Sequence, residues 1–364
     1  MTRTFTAHRR QLTALRLSAQ AIVAGDDRPG DPAATVRRLL CMQAQDFAGA
    51  KWSVGLRTPG STDASIEASL AAGDIVRSWP MRGTLHFAPP QDLGWILSLT
   101  ADRIISSTAG RERDLQLTAA DFATARDVAE ENLSGGRVLT RDELLAGFVA
   151  AGVATTGQRG VHLLQRLCLE RVAVFGPPQG KKHTFALFDD WVRSPRVLER
   201  EEGLGEFAAR YFAAHGPATV RDFAWWSSLT LTDARAGVAV ARDRLDELDI
   251  EGTAYYLDRD TAAAASATVA LPGFDEYLLG YQDRSPALAA EHAKLVVPGG
   301  NGLFLPTIVV DGEVVGLWRR TITRAGVAVE ARPFGELSMR ARSRFDAATG
   351  RYARFLGLPL LPEA

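Results

Sequence analysis

The chain has 364 residues, 46% of them hydrophobic and 23% charged, with a formal net charge of −1. This composition is typical of a globular protein with two or three domains. The near-zero charge excludes a uniformly basic surface, so any nucleic acid must be held by local basic patches. No apolar run approaches the roughly 18 residues of a membrane-spanning helix, and no signal peptide is visible. We expect a cytoplasmic protein with no membrane segment.

The residue types that hold metals and cofactors give little sign of such a site. Cys41 and Cys168 lie in apolar helical contexts and are interpreted as buried small hydrophobes. The six histidines show no metal-ligand spacing. Nucleophile-elbow, Walker and dinucleotide-binding motifs are absent, and the glycine-rich loop 298–302 lacks the lysine and hydroxyl residue of a phosphate loop. We expect no metal and no cofactor.

Three stretches of the chain show the same order of elements, several helices and then a β hairpin. In the first, helical patterns cover 11–24, 32 to the early forties, 51–56 and 61–72, and strands flank a turn at 82–83. In the second, helices over 122–133, 140–151 and 160–171 precede a hairpin within 172–187. In the third, helices over 206–214, 219–226 and from 232 into the 240s precede strand-like residues 248–257. This recurrence predicts tandem modules, and helices followed by a two-stranded ribbon indicate winged helices.

After residue 263 the pattern changes to short β-rich runs, and Asp311-Gly312 is a strong hairpin signal. A last helix, from about Glu336 to Leu356, closes the chain. We therefore predict an α+β fold of three tandem winged-helix modules followed by a small β-barrel-like domain with a basic C-terminal helix. The predicted domains are 1–98, 99–194, 195–262 and 263–364.

The stretch 40–47 contains two glutamines, Gln43 and Gln45, directly after an apolar helical run. On a regular helix, at roughly 100° per residue, the two side chains would point about 200° apart. In an extended backbone, residues two apart share a face. The glutamines can therefore act together only if the helix ends near Met42. The alternative interpretation is a helix C-terminus whose polar residues face solvent.

Gln43-Ala44-Gln45 resembles the glutamine–aliphatic–glutamine motif of the winged-helix DNA glycosylase superfamily. A sister branch of that superfamily has glutamine and aspartate two apart, so Gln45 favours the AlkZ-like branch; here the aspartate lies one residue later, at Asp46. Longer and more specific segments extend the resemblance over nearly the whole chain. They are 77–86 in the first predicted wing, 215–219 with 222–226, and, in the C-terminal part, 274–281, 301–302 and 316–320.

The resemblance implies a monofunctional DNA glycosylase that hydrolyses the N-glycosidic bond of alkylated, cationic purines in duplex DNA, bulky or crosslinked adducts included. Such a base already carries positive charge, so its departure needs neither a strong acid nor a strong base. Gln43 and Gln45 would be the catalytic residues, because a carboxamide both accepts and donates hydrogen bonds and can position water beside an electron-poor sugar. Asp46 and His86 are candidate supporting residues. The implied partner is damaged duplex DNA, bound by a monomer.

Three basic segments are candidates for contact with DNA phosphates. The last of them begins a block from residue 319 to 354 with nine arginines against three acidic residues, which is +6 (9 − 3) in a chain of net charge −1. A solvated amphipathic helix explains this block equally well. The residues singled out are Arg77 and Arg82 in the first wing, Lys181 and Lys182 at the tip of the second, and Arg319 and Arg320.

Two other functions are open at this point. A non-catalytic winged-helix regulator or architectural factor would bind DNA with a sequence preference and release no base. A pure interaction module would bind DNA only weakly. The glutamine pair discriminates among them, because a regulator has no need of it beneath the first wing. The acidic pair Asp275-Glu276 is expected to orient a basic residue such as Arg284 or Arg319 rather than to act in catalysis.

Overall fold

The computed structural model describes residues 9–23, 28–300 and 302–362. Asp26 and Asp27, predicted as part of a loop, and Asn301, which belongs to one of the family segments, lie outside the described residues. The fold is α+β, as predicted. Its named strands form three sheets, of six, five and two strands.

The first predicted unit consists of helices followed by one hairpin. Its second helix starts as the sequence suggests, with a proline in the first turn and the Asp31 carboxylate accepting the Ala34 N–H at 2.6 Å. The third helix begins at Phe47, earlier than predicted, because the Asp46 carboxylate caps it. The elements are α1 (Arg9–Ala19), α2 (Pro32–Leu39), β1 (Met42–Gln43), α3 (Phe47–Arg57), α4 (Asp63–Ala72), β2 (Val76–Met81) and β3 (Thr84–Ala88).

Helix α2 ends before the glutamines, which meets the condition for the two side chains to act together. Leu40 has φ 63° and ψ −52°, outside the right-handed helical region. Met42 and Gln43 then pair with Phe87 and His86 of β3. The prediction that this helix continues to the glutamines is therefore wrong, because the chain turns at Leu40 and becomes extended.

The second predicted unit shares a helix and a sheet with the first. Its elements are α5 (Pro90–Asp114), α6 (Ala119–Leu133), β4 (Leu139–Thr140), α7 (Arg141–Ala150), α8 (Arg159–Leu169), β5 (Ala173–Phe175), β6 (Thr184–Leu187) and α9 (Phe188–Trp191). The 25-residue helix α5 was not predicted, and the boundary placed at residue 98 falls inside it. Strand β2 pairs with β5 through Arg77 and Phe175, which joins the two hairpins in one antiparallel sheet of order β1-β3-β2-β5-β6-β4.

The third predicted unit again has helices followed by a hairpin, now a separate two-stranded sheet. Thr219 caps its second helix in a reciprocal capping box with Asp222, and Thr230 caps the third. The elements are α10 (Arg200–His215), α11 (Val220–Ser227), α12 (Leu231–Val240), β7 (Leu245–Ile250) and β8 (Thr253–Asp258).

The C-terminal part is a five-stranded sheet with a long helix packed on it. Its elements are β9 (Thr268–Leu271), α13 (Glu276–Leu279), α14 (Ala293–Val296), β10 (Thr307–Val310), β11 (Glu313–Ile322), β12 (Val327–Pro333), α15 (Met339–Leu356) and β13 (Leu360–Leu361). The turn at Asp311-Gly312 joins β10 to β11, as predicted. Within the described residues the strand order β13-β12-β11-β10-β9 does not close on itself. The predicted barrel-like domain is thus an open sheet whose apolar side chains pack with α15.

Two large apolar clusters meet at the glutamine segment. One contains the hairpins of the first two units and helices α5 to α12; the other joins α2, α3 and α4 to the C-terminal sheet and α15. Cys41 belongs to the first cluster, and Met42 and Ala44 belong to the second. The segment therefore crosses from one core to the other. None of the helices in the described ranges is long and apolar enough to cross a membrane.

Candidate active site

The backbone of the glutamine segment is held on both sides. Gln43 lies opposite His86 in the β1–β3 pair, and the Ala44 N–H donates to the Leu85 carbonyl at 2.7 Å. The Ala44 carbonyl accepts from Nη2 of Arg77 at 2.8 Å. Both backbone groups of the residue between the two glutamines are therefore satisfied by protein partners, and its position is fixed.

Both glutamine side chains are anchored through their oxygens to the β2–β3 hairpin. Oε1 of Gln43 accepts from Nη2 of Arg82 at 3.4 Å, and Oε1 of Gln45 accepts from the Leu85 N–H at 3.3 Å. Gln43 is buried and Gln45 is exposed. Neither Nε2 donates to a described residue. Each carboxamide therefore keeps two free N–H donors and a second lone pair on its oxygen for a ligand.

His86 orients Arg82 and is neutral at physiological pH. Its Nδ1 lies 2.8 Å from the Thr84 carbonyl, and its Nε2 lies 3.1 Å from Nη2 of Arg82. Burial, and next the Arg82 charge, lower the pKa of His86 to about 3. Because Arg82 is an obligatory donor, Nε2 must be the acceptor and Nδ1 must carry the proton. The predicted supporting residue thus acts through Arg82 and has no lone pair left for a substrate proton.

Arg82 also joins the first hairpin to the third unit. Its Nη1 donates to the Trp226 carbonyl at 2.6 Å, its backbone N–H donates to Oγ of Ser228 at 2.6 Å, and its guanidinium lies 5.1 Å from the centre of the Trp225 ring. Burial lowers the pKa of Arg82, whereas the Glu276 charge raises it. These contacts make Arg82 part of the site's support rather than a free surface cation.

Glu276 is the residue of the site whose role sequence reasoning missed. It is 1% exposed. Its Oε1 accepts the backbone N–H of Gln43 at 2.8 Å, and its Oε2 accepts Nε1 of Trp226 at 2.9 Å and lies 3.5 Å from Nε2 of His215. Burial favours the neutral acid, but His215 and Arg82 outweigh it and hold the pKa of Glu276 at about 2. An ionised carboxylate therefore lies directly behind Gln43.

Asp275, the neighbour of Glu276, has a separate structural role. Its carboxylate forms a two-pronged ion pair with Arg57, with Nη1–Oδ2 and Nη2–Oδ1 distances of 2.9 and 2.8 Å, and it accepts from Oγ of Ser53 at 2.7 Å. The predicted partners of the acidic pair were Arg284 and Arg319. Asp275 instead pairs with Arg57, and Nε of Arg284 donates to the Leu278 carbonyl at 2.8 Å.

Asp46 lies one residue beyond the motif and has two contacts. Oδ1 accepts the Gly49 N–H at 3.1 Å as the cap of α3, and Oδ2 lies 3.9 Å from Nη2 of Arg320. The Asp46 side chain is 37% exposed. The Asp46 carboxylate is therefore partly open to solvent one residue after Gln45, and a carboxylate can accept a proton from water.

Comparison with known proteins assigns the chain to a family. A family model described as "DNA glycosylase AlkZ-like" matches residues 36–355. An interstrand DNA cross-link repair glycosylase of Streptomyces sahachiroi is 32% identical over 334 residues, covering 85% of this chain and 87% of the relative. The solved structure of Streptomyces sahachiroi DNA glycosylase AlkZ is similar at a TM-score of 0.81 and 29% identity, covering 98% of this chain and 100% of that one. The chain belongs to the AlkZ-like DNA glycosylase family. It is a DNA glycosylase, as the resemblance predicts.

In this AlkZ-like glycosylase Arg77 is an internal support. It is 5% exposed and lies between the rings of Phe47 and Phe175, with centroid distances of 5.2 and 4.9 Å. Its Nη1 lies 3.1 Å from Nε2 of His183, and burial lowers the pKa of Arg77 to about 10. Its charge faces Ala44, inside the protein, which argues against the predicted phosphate contact.

The other predicted DNA-contact residues of this AlkZ-like glycosylase differ in exposure. Lys181 and Lys182 are exposed at the tip of the β5–β6 hairpin, and neither forms an ion pair with a described residue. Arg319 is exposed on β11. Arg320 is half-buried beside Asp46, with its guanidinium 5.8 Å from the Tyr352 ring centre. The two lysines and Arg319 are therefore the members of the set available to a polyanion. In the described ranges no group of three His, Cys, Asp or Glu side chains could hold a metal ion.

Proposed function

We propose that this enzyme hydrolyses the N-glycosidic bond of alkylated, cationic purines in duplex DNA, with Gln43 and Gln45 as its catalytic residues. The observation that supports this most directly is the state of the two carboxamides. Each is fixed through its oxygen and keeps its nitrogen and one lone pair free. His86 is neutral and occupied, so the motif holds no strong acid. A base that already carries a positive charge departs without a strong acid, so it is the substrate that suits this motif.

The reaction breaks the bond between the sugar C1′ and the purine nitrogen. The bonding electrons move to the base and neutralise its cation, which leaves positive character on the sugar. A water molecule then adds to C1′ and loses its proton. The free lone pairs of Gln43 and Gln45 suit the water and the electron-poor sugar, and the partly exposed carboxylate of Asp46 is the proposed proton acceptor.

Bulky and crosslinked purines belong to the proposed substrates. The Streptomyces sahachiroi relative is named for interstrand cross-link repair, and this likeness supports the same class here. A bulky adduct cannot easily enter a tight base-flipping pocket, and the exposure of Gln45 suits an adduct that stays outside one. The particular adduct would then be chosen by residues around Gln45.

We further propose that three winged-helix modules present this site to the duplex, with Lys181, Lys182 and Arg319 contacting phosphates. The recurring order of helices and hairpin supports the modules, and the exposure of the three cations supports the contacts. We place the enzyme in the cytoplasm, acting as a monomer on chromosomal DNA without a cofactor.

The test is base release from a duplex carrying a guanine methylated on a ring nitrogen, measured in single turnover. Wild type is compared with Gln43→Ala, Gln45→Ala and a control, Gln158→Ala. Gln158 is an exposed glutamine at the start of α8 that contacts Arg111. We expect release by wild type and the control, a loss of roughly 100-fold or more in either motif variant, and no release of uracil.

Three outcomes would change this proposal. Release unaffected by both motif variants would move the chemistry away from the glutamines. Efficient uracil release would remove the restriction to cationic bases. Binding of the duplex with no release from it or from a bulky adduct would favour a non-catalytic DNA-binding protein.

A further inference from the structure

A pocket at the C-terminal end of α3 is lined by positively charged side chains that do not belong to the glutamine site. Its volume is about 430 Å³, and its walls include Trp52, Leu56 and Phe355 with the loop that leads into α4. The glutamines precede the N-terminus of α3, whereas this pocket lies at its C-terminal end. The two are thus separated by a helix of 11 residues, about 16 Å long at 1.5 Å per residue.

Three arginines line this pocket, Arg28, Arg351 and Arg354. Nη2 of Arg351 donates to the Leu56 carbonyl at 2.6 Å, and its guanidinium lies 5.7 Å from the Trp52 ring centre, so the side chain is held in one place. Burial, and next the charges of Arg28 and Arg354, lower the pKa of Arg351. The arginines are therefore close enough to repel one another.

Two of these arginines, Arg351 and Arg354, form no ion pair with another described residue. Helix α3 has no acidic residue, and the two on α4, Asp63 and Glu67, both pair with Lys51 at 2.7 Å. The pocket thus brings the half-buried guanidinium of Arg351 close to the exposed guanidinium of Arg354, an arrangement that an anion would stabilise.

We propose that this pocket binds a phosphate group, and that the group is a backbone phosphodiester of the DNA substrate. Guanidinium forks match phosphate oxygens in pairs, and the loop before α4 adds the positive end of a helix dipole. A DNA glycosylase binds a substrate with a phosphodiester backbone at every turnover. The proposal rests on duplex DNA as the substrate, and it places one contact about 16 Å from the glutamines along α3.

The experiment compares Arg354→Gln with a matched control, Arg342→Gln. The Arg354 side chain makes no hydrogen bond or ion pair with another described residue, so its substitution removes charge without breaking either. Arg342 is exposed on the same helix but lies nine residues from Arg351, about 180° around α15 at 100° per residue. Affinity for an undamaged duplex is measured by fluorescence anisotropy over a range of NaCl concentrations. Melting temperature is measured in inorganic phosphate and in NaCl at equal ionic strength.

We expect the slope of log K against log salt to fall by about 0.9 in Arg354→Gln, the value for one lost phosphate contact, and to stay at the wild-type value in Arg342→Gln. Phosphate should raise the melting temperature of wild type and of Arg342→Gln more than chloride does, and Arg354→Gln should lose that increase. If Arg354→Gln loses the increase in melting temperature while its salt slope is unchanged, the pocket binds free phosphate rather than a DNA phosphodiester. The assignment to DNA is then overturned.

Equal slopes in all three proteins, with no specific effect of phosphate, would overturn the site itself. An equal fall of the salt slope in both variants would also overturn the site, because it would reflect only the long-range effect of removing one positive charge. Single-turnover base release at saturating DNA is followed in parallel and should not change in Arg354→Gln. A wild type that releases no base would contradict the proposed reaction, whereas the salt slopes would still decide the phosphate site.

Discussion

Glu276→Gln tests the buried support of Gln43 with nearly no change of shape. Glu276 is 1% exposed and accepts two N–H groups, from Gln43 and from Trp226. A carboxamide has one acceptor oxygen, so its NH₂ group would face one of these donors. A hydrogen bond to a charged group contributes about 1.5–3 kcal/mol. The substitution also removes the negative charge whose field offsets the Arg82 cation.

The pH dependence of this loss has a definite sign. The pKa of Glu276 is held at about 2 in the folded protein, below the ordinary glutamate value of 4.5. The carboxylate therefore contributes stability above pH 4.5, and this contribution disappears as the pH falls from about 4.5 toward 2. This lowering of the pKa corresponds to about 3 kcal/mol of stability at pH 7, and to about 2 kcal/mol at pH 3.5.

The assay is urea unfolding of wild type and Glu276→Gln at pH 7 and pH 3.5, with Glu202→Gln, an exposed glutamate of α10, as the control. We expect a loss of about 3 kcal/mol at pH 7 that becomes clearly smaller at pH 3.5, and less than about 0.5 kcal/mol for the control. Base release should also fall roughly tenfold, because the Gln43 backbone loses an anchor. A stability difference that is equal at the two pH values would refute the ionised state of Glu276. Unchanged base release would refute its role in holding Gln43.

Three further outcomes follow from the site. Substituting His86 with asparagine should change the base-release rate by the same factor at pH 5.5 and pH 8, because a pKa of about 3 leaves His86 neutral at both; a factor that depends on pH in this range would contradict the assignment. Asp46→Asn keeps a good helix cap while removing the charge, so release should fall roughly tenfold or more with stability changed by less than about 1 kcal/mol; unchanged release would leave Asp46 as a cap only. Changing Lys181 and Lys182 together to glutamine should lower the salt slope of DNA binding by about 1.8 and leave single-turnover release at saturating DNA unchanged; an unchanged slope would remove this tip from the DNA interface.

Sequence periodicity located most helices and hairpins because these depend on local signals. Asp31 and Pro32 mark the start of α2, and Asp311-Gly312 marks the β10–β11 turn, where Asp311 and Gly312 both have positive φ. The end of α2 was missed because its cause is not local. Leu40 is an ordinary helix former, and its positive φ is maintained by the pairing of Met42 and Gln43 with a hairpin more than 40 residues later.

The sequence predicted only the part of the site that lies in the glutamine segment and in the β2–β3 hairpin. The glutamines were found by their spacing and by family resemblance. Asp46 directly follows the motif, and His86 lies in the hairpin. Glu276 was visible as half of an acidic pair, but its partners could not be read from the sequence because Gln43 lies 233 residues away. The burial of Arg77 could not be predicted for a similar reason: an arginine in a predicted wing suggests a surface contact, whereas its aromatic neighbours Phe47 and Phe175 come from two different units.

Charge balance connects the buried network to the proposed chemistry. As the cationic base departs, positive character moves to the sugar, and an unbalanced cation nearby would oppose it. At about 5 Å and an effective dielectric constant of 20, one such charge costs about 3 kcal/mol, roughly a hundredfold in rate. Arg82 touches Gln43 and would be that cation. Glu276, kept ionised behind the same glutamine, offsets the Arg82 charge. Arg82 can then hold the glutamine oxygen while the motif remains close to electrically neutral, which is what the proposed catalysis by two uncharged glutamines requires.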